Sequence, residues 1–215
     1  MKIEEIRVGL VDSLQSLLAA QSFAFRKATD VEFARKGTQV SHLFRVYVKP
    51  WSGWIGVETA AFVGCPTITK LFNEILGRKV SNNAPACGFG VQNQFPERGS
   101  YQVNVADDLP TVVDKVRRDF EEVAVPFFER IGGIDAIDRE LNAPDPAGRF
   151  KVHPVDRACI GLITAKLSGN PAFSQLAESY FKSCRESQGP ALAQPLLKVR
   201  DYFERQGNAA LQLPT

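Results

Sequence analysis

Residues 38–64 read TQVSHLFRVYVKPWSGWIGVETAAFVG, and this stretch predicts one long β-hairpin. With Pro50–Gly53 as a four-residue loop, Val48 pairs with Ile55 and the two strands run antiparallel. Strand side chains alternate between two faces, so this register gathers the aliphatic side chains on one face. They are Val40, Phe44, Val46, Val48, Ile55, Val57, Ala61 and Val63. The rest of the fold must cover that face.

The opposite face of the predicted hairpin is rich in aromatic and basic side chains. Its principal members are Arg45, Tyr47, Trp51, Trp54 and Phe62. In the predicted register Arg45 lies opposite Glu58, which favours a cross-strand ion pair. If a helix covers this face, it is ordinary core. If it is open, its composition is typical of a hot spot in a protein–protein interface, and it is the best candidate binding site.

Short alternating runs on both sides extend the hairpin into a larger sheet. Residues 23–27 and 31–36 predict two short strands before it. Residues 87–95 and 101–105 predict a second hairpin, joined by the loop Pro96–Ser100. Together these runs predict an antiparallel sheet of about six strands, a meander plus a second hairpin.

Helical periodicity dominates the remaining sequence. Apolar residues at three- and four-residue steps predict helices over Ile3–Ala20, Ile68–Leu76 and from Leu109, where Pro126 is expected to kink or end the helix. Further helices are predicted at 134–141, at 157–167 with Asp156 as cap, at 171–184 and from about 190 to Gln206. Strands grouped before helices predict an α+β fold, with helices covering an antiparallel sheet.

The clearest predicted linker is NAPDPAG at residues 142–148. It divides the chain into an α+β sheet domain, 1–147, and a helical subdomain, 148–215, which could also pack as part of one domain.

Composition limits the classes of partner. A formal net charge of +2 over 215 residues gives no bulk attraction to nucleic acid or to a membrane surface. No run approaches the roughly 18 apolar residues of a membrane span. Four widely separated cysteines and a start without a leader pattern predict a cytoplasmic protein with reduced thiols.

Motifs for catalysis or cofactor binding are absent from the sequence. There is no paired cysteine or histidine spacing for zinc, no nucleophile elbow, no P-loop and no H-E-x-x-H. Gly88 and Gly90 match part of a dinucleotide fingerprint, but a strand follows them where a helix is needed. Acidic pairs such as Glu121-Glu122 are typical of helix surfaces. We therefore expect no metal, no cofactor and no catalytic residue.

The two histidines and the basic strand ends give a weaker alternative. His42 falls on the apolar face, where a core histidine bonded to the backbone is expected. Arg26 and Arg35, with Arg45 and His153, would form an anion-binding site if they converge on a pocket. Arginines at edge strands also block edge-to-edge pairing, which is the simpler interpretation.

The order of helices, strands and short motifs along the chain also resembles that of a known group of proteins. A leading amphipathic helix is followed by Phe-Ala-Phe-Arg-Lys at 23–27, Phe-Ala-Arg at 33–35, the two long strands, and Val-Pro-Phe-Phe at 125–128. This order, over roughly residues 5–185, resembles bacterial α+β domains of unknown function, some of which are similar to immunity proteins encoded beside toxins. The resemblance implies a protein partner and supplies no catalytic residues. The chain departs from it in being slightly basic, where toxin-neutralising proteins are often acidic.

Three functional hypotheses follow from the sequence. The first is a non-enzymatic protein-binding module, of the immunity type, that uses the aromatic face of the hairpin. The second is a binder of a small anionic ligand, or an enzyme with a dispersed site on the sheet. The third is an oligomer-forming protein, which requires an uncovered apolar helix face between Leu192 and Phe203.

Overall fold

The computed structural model describes residues 2–26, 30–79, 85–143, 154–191 and 193–205. The chain forms two compact units. The sheet unit consists mainly of Met1–Gly64 and Gly88–Gly132, and the helical unit mainly of Cys65–Cys87, Gly133–Ala147 and Val152–Thr215. The predicted division at residue 148 assigned residues 65–87 and 133–147 to the sheet domain, whereas here they belong to the helical unit. Residues 144–148 of the predicted linker lie outside the described residues.

The fold is α+β, with the predicted antiparallel sheet of six strands. The strands are β1 (Ala24–Arg26), β2 (Val31–Lys36), β3 (Ser41–Trp51), β4 (Trp54–Gly64), β5 (Cys87–Gly90) and β6 (Tyr101–Val103). Strands β1 to β4 form an antiparallel meander in chain order. The first part of the predicted sheet is therefore confirmed.

The register of the main hairpin differs from the prediction by two residues. Trp51 pairs with Trp54 across a turn of only Ser52 and Gly53, and Val48 pairs with Val57. Gly53 has φ +88°, a conformation that glycine adopts without steric cost and that lets the chain reverse in two residues. A shift of two residues preserves both faces, because side chains alternate with period two.

The predicted ion pair between Arg45 and Glu58 was wrong for the same reason. Arg45 lies opposite Ala60, and Glu58 lies opposite Tyr47. Glu58 accepts a hydrogen bond from Lys49 instead, with 2.9 Å between Nζ and Oε2.

The predicted second hairpin does not form. Strands β5 and β6 both pair with β4, and helix α3 (Val91–Gln94) and a 3₁₀ turn (Pro96–Arg98) separate them. The gap that this leaves along β4 is bridged by a side chain. Gln92 Oε1 accepts a hydrogen bond from the backbone N–H of Thr59 at 2.9 Å, in place of a strand carbonyl.

The helices are close to their predicted bounds. They are α1 (Ile3–Ala20), α2 (Pro66–Leu76), α4 (Leu109–Arg118), α5 (Val125–Arg130), α6 (Ile134–Leu141), α7 (Pro154–Leu167), α8 (Phe173–Gln188) and α9 (Gln194–Arg205). One predicted cap was wrong: Asp156 lies inside α7, and its carboxylate accepts hydrogen bonds from Arg78 at 2.8 and 3.0 Å.

The core of the sheet unit lies on the aliphatic face of the hairpin, which we call the inner face. Helix α1 buries Ile6, Leu10, Leu14 and Leu18 in this unit. Phe120 packs edge-on against Phe44, with ring centres 5.1 Å apart. Burial of these large side chains from the inner face is the main favourable term in the stability of the unit.

The helical segment before Pro126 contains a π turn. Asp119–Ala124 is π-helical and connects α4 directly to α5, so the helical path continues to Arg130. A proline cannot donate the usual hydrogen bond and its ring pushes on the preceding turn. A π turn widens the backbone there, and the chain neither ends nor breaks at Pro126 as the sequence had suggested.

The apolar face of α9 is covered within the helical unit. Leu196, Val199 and Phe203 are buried, and Phe203 packs edge-on against Phe173 with ring centres 6.1 Å apart. The uncovered helix face required by the oligomer-forming hypothesis is therefore not found between residues 193 and 203, and Leu192 lies outside the described residues.

Candidate protein-binding face of the main hairpin

The face of β3 and β4 opposite the core, which we call the outer face, carries a row of alternating aromatic and basic side chains. The guanidinium carbon of Arg45 lies 5.5 Å from the ring centre of Phe62 and 5.8 Å from that of Tyr47. Lys49 Nζ lies 4.9 Å from the Tyr47 ring centre. Each of these cation–π contacts favours the positions observed. We call Phe62, Arg45, Tyr47 and Lys49 the cation–aromatic row.

The two cations of this row, Arg45 and Lys49, form ion pairs with Glu32 and Glu58. Arg45 Nε donates to Glu32 Oε2 at 3.0 Å, and Arg26 NH1 lies 3.3 Å from Glu32 Oε1. Burial lowers the pKa of Arg45, but hydrogen bonds to Glu32 and Tyr47 outweigh this effect, so the pKa is raised overall. The second carboxylate, that of Glu58, accepts from Lys49 as described above. The row is therefore largely neutralised within the unit.

A stacked pair of indoles ends the outer face at the hairpin turn. The rings of Trp51 and Trp54 have centres 5.4 Å apart and planes inclined by 5°. The Trp51 side chain is exposed, with 51% of the residue accessible to solvent. Exposed tryptophan at this position is costly unless a partner covers it, since a large apolar area stays in contact with water.

Gly56 allows the two indoles to lie flat against β4. A Cβ atom at this position would stand 2.6 Å from Trp51 Nε1 and 3.0 Å from Trp54 Cζ3. Both distances are too short for non-bonded atoms, so any larger residue would push the indoles away from the sheet. The backbone at Gly56 therefore sets the orientation of the pair.

All five residues of the predicted binding face lie on the outer face. Arg45, Tyr47 and Phe62 are in mutual contact through Arg45, and Trp51 and Trp54 form the adjacent stack. Tyr47, Trp54 and Phe62 are partly exposed. Within the sheet unit, Phe120 and Phe128 pack on the inner face against Phe44 and His42.

The residues of the predicted anion site are not brought together. Arg26 lies on the outer face beside Glu32, whereas Arg35 lies on the inner face and donates from Nε to His42 Nδ1 at 3.3 Å. The Arg35 guanidinium also stacks over the Phe23 ring at 4.9 Å. His153 lies outside the described residues.

His42 has the structural role that the sequence predicted. Its Nε2 lies 2.9 Å from the carbonyl oxygen of Ile131, so Nε2 carries the proton and donates. Nδ1 then accepts from Arg35. Burial lowers the pKa of His42, the Ile131 carbonyl opposes this, and the charge of Arg35 lowers it further, so the imidazole is held neutral.

The sequence interpretation missed a buried polar cluster around Asp119. The Asp119 carboxylate is fully buried and accepts hydrogen bonds from Thr59 Oγ1, Gln92 Nε2 at 3.1 Å, Arg98 NH1 at 2.8 Å and Tyr101 OH at 2.7 Å. Burial and the hydrogen bond to Asp119 raise the pKa of Tyr101. With four donors around it, this carboxylate ties the π turn to β4 and β6 and is not an available catalytic base.

A signal for Asp119 was present in the sequence. It stands three residues after Val116 and four before Val123, on the apolar stripe of the predicted helix. A carboxylate at such a position must be buried with donors or must break the helix. The neighbouring Glu121 and Glu122 are exposed, in agreement with their assignment to the surface.

Among the described residues there is neither a group of metal ligands nor an exposed cysteine thiol. Among those residues, no three His, Cys, Asp or Glu side chains are grouped as ligands for a metal ion. All four cysteines are buried, and burial raises the pKa of Cys159 to about 12, which disfavours the reactive thiolate. None of the helices that the structure describes is both long and apolar enough to cross a bilayer.

Comparisons with protein-family models, with curated proteins and with solved structures give no match. Function is therefore inferred from the geometry of the chain's own residues.

Proposed function

We propose that this protein is a non-enzymatic protein-binding module that docks a folded partner through the outer face of β3 and β4, in the manner of an immunity protein. The observation that supports this most strongly is the exposed Trp51–Trp54 stack beside the cation–aromatic row. Tryptophan, tyrosine and arginine are the residues that contribute most to binding energy in protein interfaces.

The outer face is also preorganised. The indoles stack on each other over Gly56, and Glu32 and Tyr47 hold Arg45 by hydrogen bonds. Side chains that are already fixed lose little conformational entropy when a partner arrives. A rigid aromatic surface of this kind is suited to a folded partner with a complementary flat or shallow surface.

The charges on the outer face favour a protein over a small anion. Arg26, Arg45 and Lys49 are cations of this face, and each of the three contacts Glu32 or Glu58. An incoming phosphate or carboxylate would have to displace one of these carboxylates. A protein partner instead gains from covering the indoles and leaves the ion pairs in place at the rim.

The test is a quantitative capture experiment with a double variant. Tagged wild-type protein, Trp51→Ala/Trp54→Ala and Val105→Ser are exposed to lysate of the native organism. The Val105 control removes another exposed apolar side chain, 57% accessible, which follows β6 and is not one of the outer-face residues named above. A captured protein is identified by mass spectrometry, purified, and titrated by calorimetry.

We expect the wild type and Val105→Ser to bind one partner equally. The double variant should bind about 30-fold or more weakly, since a hot spot is worth about 2 kcal/mol or more. For the immunity role, the partner expressed alone should arrest growth, and co-expression of the wild type but not of the double variant should restore it. Equal binding by the folded double variant would refute the proposed face.

A further inference from the structure

The first strand of the sheet presents an open edge. In the part of the chain that the structure describes, β1 pairs with β2 on one side only. All three of its residues are exposed, and Phe25 is 41% accessible. An edge strand offers free backbone N–H and C=O groups to any extended segment that aligns with it.

A groove of about 410 Å³ lies beside this edge, between α1 and the first two strands. Val8, Val11 and Phe25 give it an apolar floor, and Val8 is 52% exposed. The groove lies on the inner-face side, because Phe25 points the same way as its partner Phe33, with ring centres 5.6 Å apart. The groove and the free edge are therefore adjacent.

The charged residues of the groove are mostly acidic. Among the described residues that line it, Glu4, Asp12 and Asp30 are acidic and Arg7 is the one cation, with its NH1 3.5 Å from the Glu4 carboxylate. The groove thus combines an apolar floor with uncompensated negative charge. That combination is complementary to lysine or arginine next to apolar side chains.

We infer that β1 and this groove bind an extended, basic and apolar peptide segment of a partner protein by strand addition. A strand added to β1 places every second side chain on the inner-face side, where Val8, Val11 and Phe25 receive apolar groups. Its basic side chains occupy further positions on that same side and meet Asp12 and Asp30, while the intervening side chains point to the outer-face side, where Arg26 lies. This surface is distinct from the outer face, and the inference does not depend on the function proposed for that face.

A second copy of the chain is a poor occupant of the same edge. Pairing β1 with β1 of another copy would bring both sets of Glu4, Asp12 and Asp30 towards one interface. Like charges brought together in this way destabilise the pairing. The acidic groups also oppose nucleic acid and other anions.

The test uses a short fluorescein-labelled peptide with valine and lysine in turn at every second position and threonine between them, so that valine and lysine share one face of the strand, and the readout is fluorescence anisotropy. Two control peptides replace lysine by glutamate, or methylate alternate backbone nitrogens so that strand pairing is blocked. The protein variants are Val8→Lys and Asp12→Lys. Their matched controls are Val105→Lys and Asp114→Lys, at exposed positions outside the groove.

We expect saturable binding of the valine–lysine peptide, weakened about tenfold or more by either groove variant and unchanged by the control variants. The methylated peptide should not bind, and Asp12→Lys should improve binding of the glutamate peptide. Amide hydrogen exchange at Ala24–Arg26 should slow in the complex. Trp51→Ala/Trp54→Ala should bind the peptide as the wild type does, which separates this site from the outer face.

Several results would overturn the inference. These are the absence of saturable binding, equal binding of the methylated peptide, or equal binding by folded Val8→Lys. A concentration-dependent dimer that Val8→Lys dissociates would assign the edge to a second copy of the chain instead.

Discussion

Arg45 and Glu32 face each other across β2 and β3, and the Arg45 Nε lies 3.0 Å from a carboxylate oxygen of a glutamate that is only 6% exposed. This ion pair fixes the cation at the centre of the outer face, between the rings of Tyr47 and Phe62. The mobility and the charge of the proposed binding face both depend on it.

The Arg45–Glu32 pair should show strong energetic coupling. In a double-mutant cycle with Glu32→Gln and Arg45→Met, we expect a coupling energy of about 1–3 kcal/mol in urea unfolding, because the carboxylate is nearly buried. The exposed Lys49–Glu58 pair, treated in the same way, should give less than about 1 kcal/mol. Equal coupling energies in the two cycles would show that burial of Glu32 does not strengthen its interaction with Arg45.

Small anions should not bind to the outer face of the wild-type protein. Glu32 already occupies both Arg26 and Arg45, so phosphate should raise the melting temperature no more than chloride at equal ionic strength. Glu32→Gln frees the two guanidinium groups, and phosphate should then stabilise this variant more than chloride does. Specific stabilisation of the wild type by phosphate would favour the anion-binding alternative.

Asp119 should be essential for stability. Asp119→Ala removes the acceptor shared by Tyr101 OH, Thr59 Oγ1 and Arg98 NH1, and we expect the free energy of unfolding to fall by about 3–5 kcal/mol. Glu122→Ala removes only the exposed partner of Arg98 and should cost less than about 1 kcal/mol. Urea unfolding measures both, and similar losses in the two variants would contradict the role given to the cluster.

His42 should make stability dependent on pH near neutrality. Its pKa is lowered from 6.5 in the folded state, mainly by burial, so the unfolded chain binds the proton more readily. The free energy of unfolding should therefore decrease as the pH falls through the unfolded pKa, from about pH 7.5 to about pH 5.5. His42→Gln should flatten this slope, and His153→Gln serves as the comparison. An unchanged slope in His42→Gln would contradict the prediction.

Gly56→Ala tests the orientation of the indoles without removing either one. The added methyl group displaces the Trp51 and Trp54 rings from β4, so partner binding should weaken about tenfold or more. Stability should change by no more than about 1 kcal/mol, since alanine is at least as favourable as glycine within a strand. Near-ultraviolet circular dichroism reports the loss of the stacked pair. Full affinity in Gly56→Ala would show that the flat stack is not required.

The parts of the fold that depend on the local periodicity of apolar residues were predicted well. Alternation along 38–64 fixed which side chains share a face, and three- and four-residue steps predicted helices such as Ile3–Ala20 and Ile134–Leu141 with their observed bounds. The faces survived an error in register because the error was an even number of residues. The two-residue turn depends on the positive φ of Gly53 and on the pairing of Trp51 with Trp54. The length of the loop alone predicts neither.

The features that depend on distant residues were not predictable in the same way. The run from Cys87 to Phe95 alternates like a strand, yet the chain turns helical at Val91 so that Gln92 can reach the backbone of Thr59. Asp119 is likewise explained only by donors from four other elements of the chain. All five outer-face residues were identified because they lie on two adjacent strands, whereas Arg26 and Arg35 share a strand pair but point to opposite faces.

The path of the chain between the two units bears on how the protein can be synthesised and cut. The sheet unit is interrupted after Gly64 and resumes at Gly88, and the helical unit is interrupted in turn by Gly88–Gly132. Neither unit is encoded by one continuous segment, so no single truncation yields either of them whole. On the ribosome, β4 emerges before β5 and β6. Its second edge therefore stays incompletely paired until β6 has emerged as far as Val103. Translation speed through residues 65–103 therefore sets how long that edge stays open to a wrong partner.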